Sequence, residues 1–166
     1  MNIGKRQYIK DNMEVADTYL RIAQKDEEAA IELEKQKLYN QSAYFYIQAM
    51  EKQVKNHIAR KVDITNEYFA NKLSKTMGHS LDESLELLLR IYSGNNEILF
   101  QQMQEHLLHQ ILKDVNFQFL HNSVRYPIYK YKFKDYDFNE LTIEDCYKLK
   151  EMLALLKKYL KDLDRV

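Results

Sequence analysis

Three glycines and one proline in 166 residues leave this chain very few places at which its backbone can reverse sharply. Sandwiches and barrels need a reversal about every 8 to 12 residues, built largely from Gly, Pro, Asn and Asp, and four Gly and Pro residues do not supply them. Gly4, Gly78 and Gly94 lie far apart, which also excludes the glycine-rich phosphate loops of the Walker and Rossmann folds, where glycines must cluster after a strand. Helices are the structure that such a chain can still build.

The apolar pattern agrees. From about Asp11 to Gln36, Val15, Tyr19, Ile22, Ala23, Ala30 and Leu33 fall on one helical stripe, between faces carrying Arg21, Lys25, Glu27, Glu32 and Glu34. A second helix to about Lys61 carries Ala43, Ile47, Met50, Val54 and Ile58 at intervals of 4, 3, 4 and 4, a seam that no strand presents. A less regular stretch, 63 to 77, holds a turn or two around Tyr68, Phe69 and Leu73. Ser80 with Glu83 has capping-box spacing and opens a short third helix that stops near Gly94. Leu108, Ile111, Leu112, Val115 and Phe119 predict a fourth helix of six or seven turns to about Leu120. Thr142 with Asp145 opens the last, whose stripe is Cys146, Leu149, Leu153, Leu156, Leu160 and Leu163. These elements predict an all-α fold, an up-and-down bundle of four to five helices without a sheet, spanning 1–166 as one domain. Apolar residues off the stripes, Tyr44, Phe45, Tyr46, Phe100 and Phe117, predict a second buried face and hence a homodimer.

Charge narrows the function classes less. The 25 basic and 25 acidic residues cancel, so no global positive field marks a nucleic-acid binder and only local patches count. Cys146 stands alone, which excludes an intramolecular disulfide and a Cys-x-x-Cys metal site. The polar stretch 1–10 has no apolar signal core, and no window approaches the ~18–20 apolar residues of a membrane span. A cytoplasmic protein without membrane contact is the expectation.

Between Leu38 and Lys55 the chain reads Tyr39-Asn40, then Tyr44-Phe45-Tyr46, then Gln48-Ala49-Met50-Glu51-Lys52 and Lys55. This run resembles the second-helix signature of HEPN domains. Gly78-His79-Ser80-Leu81 with Leu85 resembles the family's His-x-Leu element, and Asn122-Ser123-Val124-Arg125-Tyr126-Pro127 its Arg-Tyr-Pro segment, in the same order and over about 16–160. The resemblance implies a helical bundle, commonly a homodimer, that binds RNA or a nucleotide. Many members are metal-independent RNases or toxins, often encoded beside a nucleotidyltransferase partner, and others only bind. RNase members carry a polar residue after the arginine and a histidine four to six residues beyond it. Here Tyr126 follows Arg125, and positions 129 to 131 are Tyr, Lys and Tyr, so the histidine is missing.

That departure bears on chemistry. Metal-free attack by a 2′-hydroxyl needs a group that moves protons and one that stabilises charge on phosphate. Arg125 serves the second role. For the first, Tyr129 or Tyr131 is the substitute, at a reference pKa near ~10 that suits a base at neutral pH poorly. From Arg125 to Phe138 stand six of the chain's twenty aromatic residues, and Tyr129, Tyr131 and Phe133 alternate with Lys130, Lys132 and Lys134. An extended backbone would put rings on one face and ammonium groups on the other, a surface that stacks bases and meets phosphates or, equally, a loop pinned to the bundle by its rings. His106 and His109 beside Glu105 lack a third ligand, so no metal or other cofactor is expected. His79 reads as a helix-entry contact, Glu51 and Lys52 as ties from helix two to a neighbour, and Cys146 as a small core residue.

The expected function is therefore a HEPN-like dimeric RNA- or nucleotide-binding protein, non-catalytic, with Asn122, Arg125, Tyr126, Lys130 and Lys132 in the binding surface. It belongs, on this reading, with toxin-antitoxin or nucleotidyltransferase-associated systems. Two alternatives stand beside it. One is a metal-independent endoribonuclease toxin using Arg125 with Tyr129 or Tyr131; the other is a protein-interaction module pairing with a nucleotidyltransferase.

Overall fold

A computed structural model describes residues 3–4, 8–76 and 80–164. The fold is all-α. Helix α1 (Asn12–Lys35) starts where the Asp11 carboxylate accepts from the amides of Met13 and Glu14. Its contribution to the core is a row of alanines, Ala16, Ala23 and Ala30, each fully buried, seven residues apart and so on one face. The expected stripe is thus shifted: Ile22 lies at its edge and is exposed. Small side chains let α2 (Tyr39–Lys61) pack closely, and polar ties cross the seam. Ser42 Oγ donates to Ala30 O (2.8 Å), Lys52 Nζ to Asp26 Oδ2 (2.7 Å) and Asn56 Nδ2 to Ala16 O (2.6 Å). Partners move down α1 as they move up α2, which makes the two an antiparallel pair.

Helix α2 is the centre of the molecule and touches α1, α4 (Leu81–Ser93), α6 (Phe117–Ser123) and α7 (Ile143–Leu163). Ser80 caps α4, accepting from Glu83 N, and α4 ends at Gly94, whose φ of 56° lies in the left-handed half of backbone space. Thr142 and Asp145 form a complete capping box at the start of α7. Cys146 is fully buried, its thiol donates to Tyr39 O (3.5 Å), and burial pushes its pKa up, as suits a core residue. The irregular stretch contains α3 (Glu67–Asn71) followed by a π-helical turn, Lys72–Thr76. Gly78 and His79, expected at the entry to α4, lie outside the described residues.

Two expectations are corrected. The long fourth helix is broken: α5 (Glu97–Glu105) runs into a π-helical turn, His106–Ile111, and the chain then bends before α6. Lys113 and Asp114 both take positive φ, 51° and 59°, which an L-residue adopts only outside a right-handed helix. Asn116 restarts the helix by accepting from Phe119 N (2.8 Å). The second correction is a two-stranded antiparallel hairpin, β1 (Ile128–Lys130) and β2 (Asp135–Asp137), where no sheet was expected. The alternating run is extended only through Lys130. Residues 131–134 form the turn, with Lys134 at φ 54°, so rings and lysines do not sort onto two faces.

The surplus of off-stripe aromatics has an internal explanation as well. Tyr46, Phe100 and Phe117 are buried within this one chain, and Tyr44 and Phe45 pack half-buried against the same core. They need no partner to leave water. Among the described residues no helix is long and apolar enough to cross a membrane.

Candidate functional site

Helix α6 and its exit carry the polar groups that converge. Gln118, His121, Asn122 and Arg125 recur at helical spacing and so share one side of α6, while Phe117 turns into the core. This side faces a cavity of about 280 Å³ whose apolar floor is Ile47 from α2, Leu81 from α4 and Phe117, all nearly fully buried. Ser80, Gln118, His121, Asn122 and Arg125 make the walls, and among the described residues no carboxylate lines it. An apolar floor with a few convergent polar groups is the usual composition of a ligand site.

Arg125 is held by its own helix. Its Nε donates to His121 O (3.0 Å) and its Nη2 to Asn122 Oδ1 (3.3 Å), both neutral acceptors. The guanidinium lies 5.3 Å from the Tyr44 ring centre and 4.8 Å from that of Tyr126, so two aromatic faces attract the cation without neutralising it. No ion pair among the described residues involves Arg125. Its full positive charge therefore stands at the cavity rim, in a planar fork suited to phosphate. His121 is buried in the wall beside it, with its ring 5.4 Å from that of Tyr44.

The cavity wall is registered against α4 through Asp82, whose carboxylate accepts from Gln118 N (3.3 Å). Burial pushes the Asp82 pKa up; the bond from Gln118 opposes that rise and the neighbouring Glu83 adds to it. The hairpin is placed by Asn40. Its Nδ2 donates to Asn139 O (2.7 Å) and Val124 O (3.3 Å), and its Oδ1 accepts from Leu141 N (2.9 Å). One side chain at the start of α2 thus clamps both ends of the connection that carries the hairpin.

The residues singled out in the sequence separate into two zones. Asn122 and Arg125 line the cavity; Tyr126, Tyr129, Lys130, Tyr131 and Lys132 do not. Tyr126 adjoins the rim. Tyr129 stacks edge-on with Tyr131 and with its cross-strand partner Tyr136, at 5.1 and 5.2 Å between ring centres. Lys130 leans over Phe119 of α6 and faces Asp137 at 3.7 Å, while Lys132 lies over Phe133 in the turn. Tyr131 and Phe133 are 87% and 71% exposed, so the hairpin offers rings to solvent and its lysines are only partly countered by Asp137. His106 and His109 part company: the first packs against the Tyr159 ring and the second meets the Asp114 carboxylate at 2.5 Å. Among the described residues no group of three or more His, Cys, Asp or Glu side chains is placed to hold a metal ion.

His121, Gln118 and the Asn40 clamp are absent from the sequence reading. The His121–Arg125 and Gln118–Arg125 spacings, four and seven residues, are a visible helical signal once Asn116 is read as the cap of a separate short helix. No family model, curated protein or solved structure matches the chain.

Proposed function

We propose that this is a HEPN-like RNA-binding protein, a homodimer, that engages single-stranded RNA with Arg125 at the cavity rim and with the rings and lysines of the hairpin, binding rather than cutting its ligand. The observation that carries the reading is the Arg125 guanidinium, fixed by neutral acceptors and flanked by two aromatic rings at the mouth of a cavity that no carboxylate lines among the described residues. Phosphate needs such a charge. Unpaired bases need exposed rings, and Tyr131, Phe133 and Tyr136 stand next along the chain.

The test is a salt series of binding titrations with unstructured RNA. Wild-type affinity falls as salt rises, and Arg125→Ala weakens binding and reduces the slope of log affinity against log salt by about one. Absence of salt-dependent binding, or an Arg125→Ala variant identical to wild type, refutes the reading. Metal-free incubation of RNA with both proteins separates binding from cleavage: RNA cut by wild type and spared by Arg125→Ala would replace it with the endoribonuclease. A mass measurement on the same preparation tests the homodimer.

A further inference from the structure

We propose that two copies of this chain meet by exchanging hairpin tips, Phe133 of each seated with Lys132 and Lys134 in the acid-rimmed apolar groove between α4 and the π-helical turn His106–Ile111 of the other. This rests on the homodimer in the reading above and gives it an interface, with Arg125, Lys130 and the hairpin tyrosines left facing RNA.

The groove, of about 300 Å³, has Leu85 and Leu89 of α4 and Leu107 of the π-helical turn as its floor, with Leu108 exposed at its edge. Glu83 and Glu86, three residues apart and so on one side of α4, stand exposed on the rim. Asp82 lies beside them with its carboxylate on Gln118 N. Among the described residues none of these three carboxylates is in an ion pair, and no Lys, Arg or His side chain lines the groove. Solvated carboxylates alone point to no partner. Bordering a floor of leucines, they favour an occupant that is apolar at its centre and cationic at its edges.

The hairpin tip has that pattern. In the turn 131–134, Phe133 stands between Lys132 and Lys134, and all three are exposed. Tyr129 stacks with Tyr131 and with Tyr136, whereas Phe133 stacks on no ring among the described residues; only Lys132 Nζ lies over it, 5.5 Å from its centre. Lys130 faces Asp137, but Lys132 and Lys134 form no ion pair among the described residues. A cavity of ~150 Å³ already admits benzene, so the groove has room for one phenyl ring. The chain's own tip does not fill it. Lys130 leans over Phe119 of α6, Asn40 holds the ends of the connection, and no tip residue lines the groove. A second copy carries both halves, so a two-fold axis makes the contact twice and closes the dimer. Because 25 basic and 25 acidic residues cancel, whole chains do not repel, while a positive tip and a negative rim attract at close range.

Full-length protein is measured by sedimentation equilibrium over a concentration series, and wild type is expected to dimerise. Two charge-reversed proteins, one carrying Glu83→Lys with Glu86→Lys and the other Lys132→Glu with Lys134→Glu, put like charges across the contact. Each dimerises roughly 10-fold or more weakly than wild type. Mixed in equal amounts they pair with each other, since each tip then meets a rim of opposite sign, and that heterodimer also reports that both are folded. Phe133→Ser, with every charge kept, weakens the dimer as well. A monomeric wild type overturns the exchange and leaves the groove to a partner other than this chain. Unaltered dimers in the reversed proteins, or reversed proteins that do not pair when mixed, overturn this interface and leave the homodimer to another surface. Binding of unstructured RNA by the same proteins is read separately: its absence refutes the RNA-binding reading and not the interface.

Discussion

The signature element on α2 contains a buried ion pair whose energetics can be measured. Lys55 Nζ lies 2.7 Å from Glu51 Oε1, the side chains are 5% and 2% exposed, and Gln48 Nε2 donates to the other carboxylate oxygen at 3.3 Å. Lys55→Met leaves the Glu51 carboxylate in the core, still accepting from the Gln48 amide but without its cation. Stranding a buried charge in this way costs about 3–5 kcal/mol, a large part of the ~5–15 kcal/mol that keeps a domain folded. At about 2–4 °C per kcal/mol for a chain of this size, the midpoint of thermal unfolding falls by roughly 6 to 20 °C. Glu51→Leu takes the carboxylate from the Lys55 ammonium and destabilises as well. Removing both charges leaves neither group buried without the other, so the double variant costs less than the sum of the two single ones, by about 2 kcal/mol or more of coupling. Urea unfolding followed by circular dichroism on all four proteins measures the cycle. Singles that cost less than 1 kcal/mol, or a double that costs the sum of its parts, would refute the claim that this pair is desolvated and mutually dependent.

Two further outcomes concern pH and capping. Thr142→Ala removes one half of the capping box on α7 and costs about 1 kcal/mol in the same assay; the bonds from Thr142 hold the Asp145 carboxyl below its ordinary value of 3.8, so its stabilisation is present above that pH and disappears as acid takes the pH through the lowered value. Asp82 has the opposite sign. Its raised pKa means that the folded state holds the proton more tightly, so stability is lost as pH rises above the ordinary carboxylate range; Asp82→Asn gains stability at neutral pH relative to wild type and no longer does so below about pH 3.8, in paired denaturation curves at the two pH values.

Much of the fold was legible because it is local. The caps at Ser80 and Thr142, the seam Ala43–Ile47–Met50–Val54–Ile58 and the stripe from Cys146 to Leu160 depend on residues within a turn or two of one another, and the structure has these helices within a residue or two of the expected bounds. The error over α5 and α6 has the same root. Leu108, Ile111, Leu112, Val115 and Phe119 keep an apolar period across a backbone that breaks, because periodicity records which residues seek the core and not the path between them. Asn116, an ordinary N-cap residue, was the local clue.

The site divides in the same way. By itself the sequence determined helices α1, α2, α4 and α7, the placing of Asn122 and Arg125 at a helix end, and the concentration of rings and lysines after Pro127, since composition, spacing and proline geometry act along the chain. Only the tertiary structure decided that Gln118 and His121 share a cavity with Arg125, that its floor comes from three helices, and that Asn40, about one hundred residues from Asn139 and Leu141, clamps the hairpin's ends. Those contacts join residues distant in the chain through close packing and single hydrogen bonds, and such pairings follow from how helices pack against one another, which no local pattern encodes.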